Sequence, residues 1–253
     1  MCLIVLAIGQ STEYPLILAG NRDEFHARAT QEADWWSDKP DVFGGRDLQA
    51  GGTWLALHRN GRFATVTNFR DAQPVSPQFR SRGHLVTEFL ESDRPPLQYL
   101  EAIEGPAYAG FNLIVGDLHE VAFLSNRDGE PRALPDGLYG LGNEALDGPG
   151  DKVRRSKEGL AGLLAQNTVD ETTLLRLLDD RSKGPIEEVD SSIPGTDRAH
   201  AVTAPFIVMP DYGTRCSTVV LANASGEWRM IERRFNAQGV STGESGITFA
   251  TRT

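Results

Sequence analysis

Two apolar runs near the start of the sequence decide its fold class: CLIVLAI at residues 2–8 and LILAG at residues 16–20. Both are rich in Val, Ile and Leu, and a polar turn over residues 10–15 separates them, which predicts two strands paired as an antiparallel hairpin. The first run has no basic residues before it and is too short for a membrane span or a signal peptide. We therefore expect a buried first strand that begins at Cys2.

The same hairpin pattern recurs along the chain. Residues 54–58 and 62–69 flank the pair Asn60-Gly61, and Asn-Gly favours a tight hairpin because both residues tolerate positive φ. Two further predicted hairpins have the same form: residues 111–116 with 120–125, and residues 217–222 with 227–235. These pairs predict antiparallel sheets, and they argue against a parallel doubly wound sheet.

Helical periodicity separates the hairpins. One-sided apolar patterns predict helices over residues 84–91, 151–166 and 170–180, and Asp170 is the expected N-cap of the last. We predict loops over residues 182–205, 239–246 and the glycine-rich segment 44–47, which lacks the order of a phosphate-binding loop. No composition break divides the chain. Together, the predicted hairpins and helices indicate one α+β domain over residues 1–253. Its expected architecture is a four-layer αββα sandwich of two antiparallel sheets covered by helices.

Composition narrows the classes of function. The 253 residues contain 25 Lys and Arg against 35 Asp and Glu, a net charge of −10. No basic stripe offsets this charge, so nucleic-acid and membrane-surface binding are not expected. The two cysteines and five histidines show neither a disulfide framework nor the spacing of a metal site. The expected compartment is the cytoplasm.

Cys2 is the first candidate for chemistry. If the initiator methionine is removed, Cys2 carries a thiol with a pKa of about 8.5 and a free α-amine with a pKa of about 8. The amine can then act as the base for its own thiol, as in enzymes with an N-terminal nucleophile. The alternative is a small apolar residue packed in a buried strand.

The polar cluster at residues 21–24, Asn-Arg-Asp-Glu, follows the second apolar run. A hairpin brings the end of its second strand close to the start of its first, so Arg22 and Asp23 should lie near Cys2. An Arg beside a thiol lowers the thiol's pKa, and an Asp can orient an ammonium. The alternative is a local Arg-Asp pair in a turn.

Three later residues complete the candidate set. Asn68 and Asn143 can supply amide donors to an oxyanion, and Arg215 can orient a carboxylate or the surroundings of the nucleophile. Taken singly, each is more often a turn or cap residue. Trp54 and its aromatic neighbours could line a pocket, although core packing explains them as well.

These motifs, taken in order, resemble the NRDE family, whose animal members are called transport and Golgi organisation homologues. The resemblance covers most of the chain. It rests on the motifs at residues 1–4, 20–25, 36–38, 44–47, 51–55, 67–70, 81–83, 110–113, 212–215 and 217–218. The sequence departs from the family pattern at Ala29, at Gly142 and over residues 148–151.

The resemblance implies an N-terminal nucleophile hydrolase fold, similar in layout to bile-salt hydrolases and penicillin V acylases. It implies a site made of six residues: Cys2, Arg22, Asp23, Asn68, Asn143 and Arg215. The function expected from it is hydrolysis of a non-peptide C–N bond in a small acyl-amide, without a resident cofactor. The alternative is a non-catalytic protein of the same fold that binds and traffics haem, a lipid or acyl-CoA.

Overall fold

Two antiparallel sheets form the centre of the molecule in a computed structural model that describes residues 2–70, 78–189 and 193–251. In chain order the strands are β1 Cys2–Ile8, β2 Leu16–Phe25, β3 Thr30–Trp36, β4 Lys39–Asp47, β5 Leu55–His58, β6 Phe63–Asn68, β7 Phe111–Gly116, β8 Val121–Ser125, β9 Arg132–Ala133, β10 Gly137–Leu141, β11 Tyr212–Ala222, β12 Glu227–Phe235 and β13 Ser241–Ala250. The helices are α1 Gly83–Leu90, α2 Pro96–Glu101, α3 Asp151–Ala165, α4 Glu171–Leu178 and α5 Thr196–Ala201, with 3-10 turns at Gly105–Ala107 and Ile186–Glu188.

The first sheet has the strand order β10-β1-β2-β11-β12-β13, and the second runs β3 to β9 in sequence order. The apolar core between the sheets includes Leu6, Leu18, Phe63, Phe123 and Trp228, all fully buried. Antiparallel strands point alternate residues to opposite faces, so one side of each strand fills this core.

Helices cover the outer faces of both sheets. Leu160 of α3 and Leu174 of α4 pack against the apolar outer face of the first sheet, beside Val5 and Ile17. The helices α1 and α2 cover the second sheet in the same way, around Phe89. The layers therefore follow the order helix, sheet, sheet, helix, which confirms the predicted αββα sandwich.

Local sequence explains the elements that were predicted. All four hairpins are present, and the first pairs Cys2 with Arg22 and Ile8 with Leu16. Asp170 caps α4 by accepting a hydrogen bond of 2.7 Å from the backbone N–H of Thr173. The prediction that residues 21–24 follow the strand was wrong, because β2 continues to Phe25.

Three predicted loops need correction. Residues 44–47 belong to β4, and residues 241–246 begin the edge strand β13. Within residues 182–205 the chain forms the short 3-10 turn at Ile186–Glu188 and helix α5, while residues 190–192 lie outside the described part. Among the described residues, no helix is both long and apolar enough to cross a membrane.

Candidate functional site

Cys2 and Arg22 are directly opposite each other on β1 and β2, and Arg22 is in turn opposite Cys216 on β11. Residues paired in this way point to the same face of the sheet, which here is the face between the two sheets. The two cysteines are two strand spacings apart, about 9.5 Å, which is beyond disulfide reach. Both are free thiols; Cys2 is half-buried and Cys216 is buried.

A cleft of about 330 Å³ opens at Cys2 and is lined by residues of both sheets and of the segment before α1. Its apolar lining includes Trp54, Val66, Phe79 and Ala109, and Asn68 lies at its edge. Its charged lining residues are Arg22, Asp23, Glu24, Arg28, Asp47, Arg80 and Arg82. A cleft of this kind can hold a small molecule with both apolar and charged parts.

Asp23 is fixed by residues of β11. The hydroxyl of Thr214 donates 2.7 Å to Asp23 Oδ1, and the Tyr212 hydroxyl donates 3.0 Å to the Asp23 carbonyl. The Thr214 oxygen also accepts from the backbone N–H of Ile207 at 2.9 Å, which orients the hydroxyl. Burial raises the pKa of the Asp23 carboxyl, while the Thr214 hydrogen bond opposes this change.

Thr214 and Tyr212 were not among the predicted site residues. Both lie in the motif at residues 212–215 that carried part of the family resemblance. The motif was the only available signal, because the pairing of β11 with β2 joins positions almost 200 residues apart.

Arg22 is buried against an aromatic ring. Its guanidinium carbon lies 4.3 Å from the centre of the Trp54 ring, and Nη1 donates 3.1 Å to the Thr30 hydroxyl. The planar guanidinium therefore stacks on the indole, an arrangement that an ammonium would not reproduce. Trp54 directly precedes β5 of the opposite sheet, so this contact also links the two sheets.

Burial raises the pKa of the Cys2 thiol, and the negative charge of Asp23 adds to this effect. The Arg22 guanidinium and a hydrogen bond from the Asp23 backbone lower the pKa without cancelling the rise. The protonated thiol is therefore favoured over the thiolate at this position. A nucleophilic role for Cys2 would require a base that removes this proton during attack.

Asn68 and Asn143 are brought together at the end of β6. Asn143 Nδ2 donates 2.9 Å to the Asn68 carbonyl, and the Arg70 N–H donates 2.6 Å to the Asn143 carbonyl. Asn143 follows the end of β10 by two residues, at the end of the strand where Leu141 pairs with Ile4 of β1. Thus the Asn143 side chain is buried, and the Asn68 side chain is exposed at the cleft.

The loop that carries Asn143 is held by the second sheet. Thr67 donates 3.0 Å to the Gly142 carbonyl, and Asn112 Nδ2 donates 2.8 Å to the Glu144 carbonyl. Asn112 is fully buried. Sequence reasoning missed this supporting role, although residue 112 lies in one of the family motifs.

Arg215 occupies a different place from the other five predicted residues. It lies at the irregularity where the β2–β11 register shifts between Thr214 and Cys216. Its Nη1 donates to the carbonyls of Phe25 at 2.9 Å and Arg28 at 3.1 Å, so it holds the segment after β2. Among the described residues that line the cleft, neither Arg215 nor Asn143 is present.

Two arginines that line the cleft form ion pairs, one with another lining residue and one with a residue of α1. Arg28 Nη2 lies 2.5 Å from Asp47 Oδ2, and Arg80 Nη2 lies 2.6 Å from Glu88 Oε1.

The described residues contain no cluster of three or more His, Cys, Asp or Glu side chains that would hold a metal ion.

Comparison of the sequence with protein families gives a match over residues 1–237 to the family described as Transport and Golgi organisation 2. The chain is 33% identical to the Transport and Golgi organization protein 2 homolog of Bos taurus, with 92% of each chain covered. It is 32% identical to the homolog of Homo sapiens, with 97% of each chain covered. The Drosophila melanogaster protein is 28% identical over 92% of this chain and 91% of its own.

Two solved structures share the fold at low sequence identity. An N-acylethanolamine-hydrolyzing acid amidase ortholog from Caenorhabditis elegans has a TM-score of 0.52 at 12% identity, covering 87% of this chain and 92% of its own. A mutant of the conjugated bile acid hydrolase from Clostridium perfringens has a TM-score of 0.54 at 9% identity, covering 98% of this chain and 92% of its own. Both similarities concern the fold, which is that of the N-terminal nucleophile hydrolases.

Proposed function

This chain belongs to the Transport and Golgi organisation 2 family, and from that premise we propose that it is an amidohydrolase whose nucleophile is Cys2. The substrate is a small acyl-amide that carries a non-peptide C–N bond. Met1 lies outside the described residues, and its removal is part of the proposal. The proposal also includes one domain over residues 1–253 and a cytoplasmic location.

The proposed reaction uses both groups of Cys2. The α-amine takes the thiol proton while Sγ bonds to the amide carbonyl carbon, and amide N–H groups of Asn68 and Asn143 hold the oxyanion. The ammonium then returns the proton to the leaving nitrogen as the C–N bond breaks, which gives a thioester. Water, deprotonated by the same amine, attacks the thioester and releases the acid and the free thiol.

The observation that carries this proposal is the arrangement around the start of β1. Arg22 lies opposite Cys2, and Thr214 holds the Asp23 carboxyl, to which we assign the orientation of the α-amine. The raised pKa of the Cys2 thiol supports a mechanism with a base, because a stored thiolate is disfavoured there. Arg215 enters as a residue that shapes the segment after β2.

The alternative function, a carrier of haem, a lipid or acyl-CoA, is favoured by one feature of the site. Asn143 already donates its amide to the Asn68 carbonyl, so one of its two N–H groups is engaged before any substrate binds. A carrier would use the same cleft with no turnover. Titration with haem tests it: a saturable Soret shift supports a carrier, and a non-saturating response rejects haem as the ligand.

The test of the hydrolase uses protein expressed without an N-terminal tag and a panel of acyl-amides. Cys2→Ala is expected to abolish turnover with the fold intact, since the nucleophile is lost. Cys216→Ala is the matched control, because it removes the other thiol from the same face of the sheet. Equal turnover by Cys2→Ala and the wild type would remove Cys2 from the mechanism.

A further inference from the structure

Lys152 is a buried cation that the proposed reaction does not use. It lies in the first turn of α3, is 8% exposed, and its Nζ is fully buried. Within the described part of the chain, Nζ has no hydrogen-bond partner. Burial of an ammonium is costly unless nearby charges compensate it. The charges around Lys152 therefore decide what it does.

The position of Lys152 directs it toward the proposed nucleophile. Helix α3 packs against β10 and β1. A Cβ at Gly142, directly after β10, would lie 3.8 Å from Lys152 Cε, so the lysine stem passes beside Gly142. Gly142 comes directly after Leu141, which pairs with Ile4 of β1, two residues from Cys2. The ammonium thus approaches the start of β1 from the helical layer, on the side away from the core between the sheets.

Four other ionisable groups face it from the surrounding elements: Asp23 on β2, Cys2 on β1, Glu144 after β10 and Arg70 after β6. Asp23 exerts the strongest attraction among them. Burial lowers the pKa of Lys152 and raises the pKa of Asp23, and the attraction between the two opposes both changes. Lys152 lowers the pKa of Asp23 more than Arg22 does.

We infer that Lys152 is a positioning residue that shares the charge of Asp23 with the α-amine of Cys2 and so keeps that amine a free base at neutral pH. This inference rests on the proposed function, in which the amine is the base. A carboxylate beside an amine raises the amine's pKa, whereas a neighbouring cation lowers it. Without Lys152, Asp23 would pair with the amine alone and hold a proton on it.

The test follows the pH dependence of two quantities, the rate of Cys2 alkylation by iodoacetamide and the turnover of an acyl-amide. In Lys152→Met, both midpoints are expected to move upward by about one pH unit, because one cation near the amine and the sulfur is lost. Lys152→Arg keeps the charge and is expected to restore the wild-type midpoints. Lys157→Met is the matched control, because Lys157 lies on the same helix and its Nζ pairs with Asp147 at 2.6 Å near the surface.

Unchanged midpoints in a folded Lys152→Met protein would overturn the inference. Lys152→Gln is used if the methionine variant does not fold. If neither variant folds, ¹³C-lysine NMR measures the titration midpoint of Lys152 in the wild type and in Asp23→Asn. A midpoint unchanged in Asp23→Asn overturns the inference, and a lowered midpoint supports it. If the wild type shows no turnover but the alkylation midpoint still shifts in Lys152→Met, the hydrolase proposal is contradicted. The charge assigned to Lys152 then stands.

Discussion

The Thr214 hydroxyl donates a hydrogen bond of 2.7 Å to Asp23 Oδ1, and this contact joins β11 to β2. Replacing Thr214 with Val keeps the shape but removes the donor from a buried carboxyl. We expect a loss of about 1–3 kcal/mol in the free energy of unfolding. Amide turnover should fall as well, because Asp23 loses the contact that orients it.

Urea unfolding and steady-state turnover measure these two effects in Thr214→Val. Thr218→Val is the control, since Thr218 is also buried on β11 but lies beside Gly20, away from Asp23. If both variants lose the same unfolding free energy and the same turnover, any buried hydroxyl of β11 has this effect. Thr214 would then have no special role.

Asp23 is expected to make the fold less stable as the pH rises. Burial raises its pKa above the ordinary value, so the folded state keeps a proton that the unfolded state has already released. The stabilisation that the protonated Asp23 carboxyl gives to the folded state is fully present below about pH 3.9, the pKa of an unfolded Asp. It is lost as the pH increases through the folded pKa.

Asp23→Asn removes that pH dependence while keeping an oxygen that accepts from Thr214. From pH 4 to pH 8 we expect the unfolding free energy of Asp23→Asn to increase relative to that of the wild type, although the variant loses turnover. Urea unfolding at a series of pH values measures it. A difference independent of pH over this range would contradict the raised pKa.

Arg22 is expected to assist the sulfur through its positive charge. In Arg22→Met, the midpoint of Cys2 alkylation should move upward by about one pH unit or less, because the guanidinium lowers the pKa of the thiol. Arg234→Met is the control, since Arg234 is in the same row of the sheet but two strands from Arg22, and it pairs with Glu32 at 2.7 Å. A midpoint that moves equally in both variants would assign the effect to general charge.

The sequence predicted most of the elements that depend on neighbouring residues. The hairpins form through short turns, and the cap at Asp170 spans three residues. The position of Arg22 and Asp23 near Cys2 followed from the same reasoning, because a hairpin fixes which residues lie opposite each other. Even the error at residues 21–24 concerned only where β2 ends.

The missed strands lack the signals on which the predictions relied. In β4, a Cβ at Gly44 would lie 2.7 Å from the Leu55 carbonyl, and one at Gly45 would meet the Trp54 ring at 2.2 Å. These glycines are required by close approach of neighbouring residues, whereas in the sequence alone they resemble loop residues. Residues 241–246, the first part of the edge strand β13, are all polar residues or glycine, so they show no apolar face in the sequence.

The site residues that escaped prediction depend on contacts between distant parts of the chain. Thr214 reaches Asp23 across the β2–β11 pairing, and Lys152 approaches from a helix. The roles of the six predicted residues, including Asn143 and Arg215, stay predictions until turnover is measured.

The proposed mechanism requires residue 2 to present a free thiol and a free α-amine on the same carbon. The most direct measurement is the intact mass of protein expressed without an N-terminal tag, taken before and after incubation with an activated acyl-amide. We expect a mass without the initiator methionine and an added acyl group that maps to Cys2. A retained methionine, or an acyl group absent from Cys2 under turnover, would contradict it.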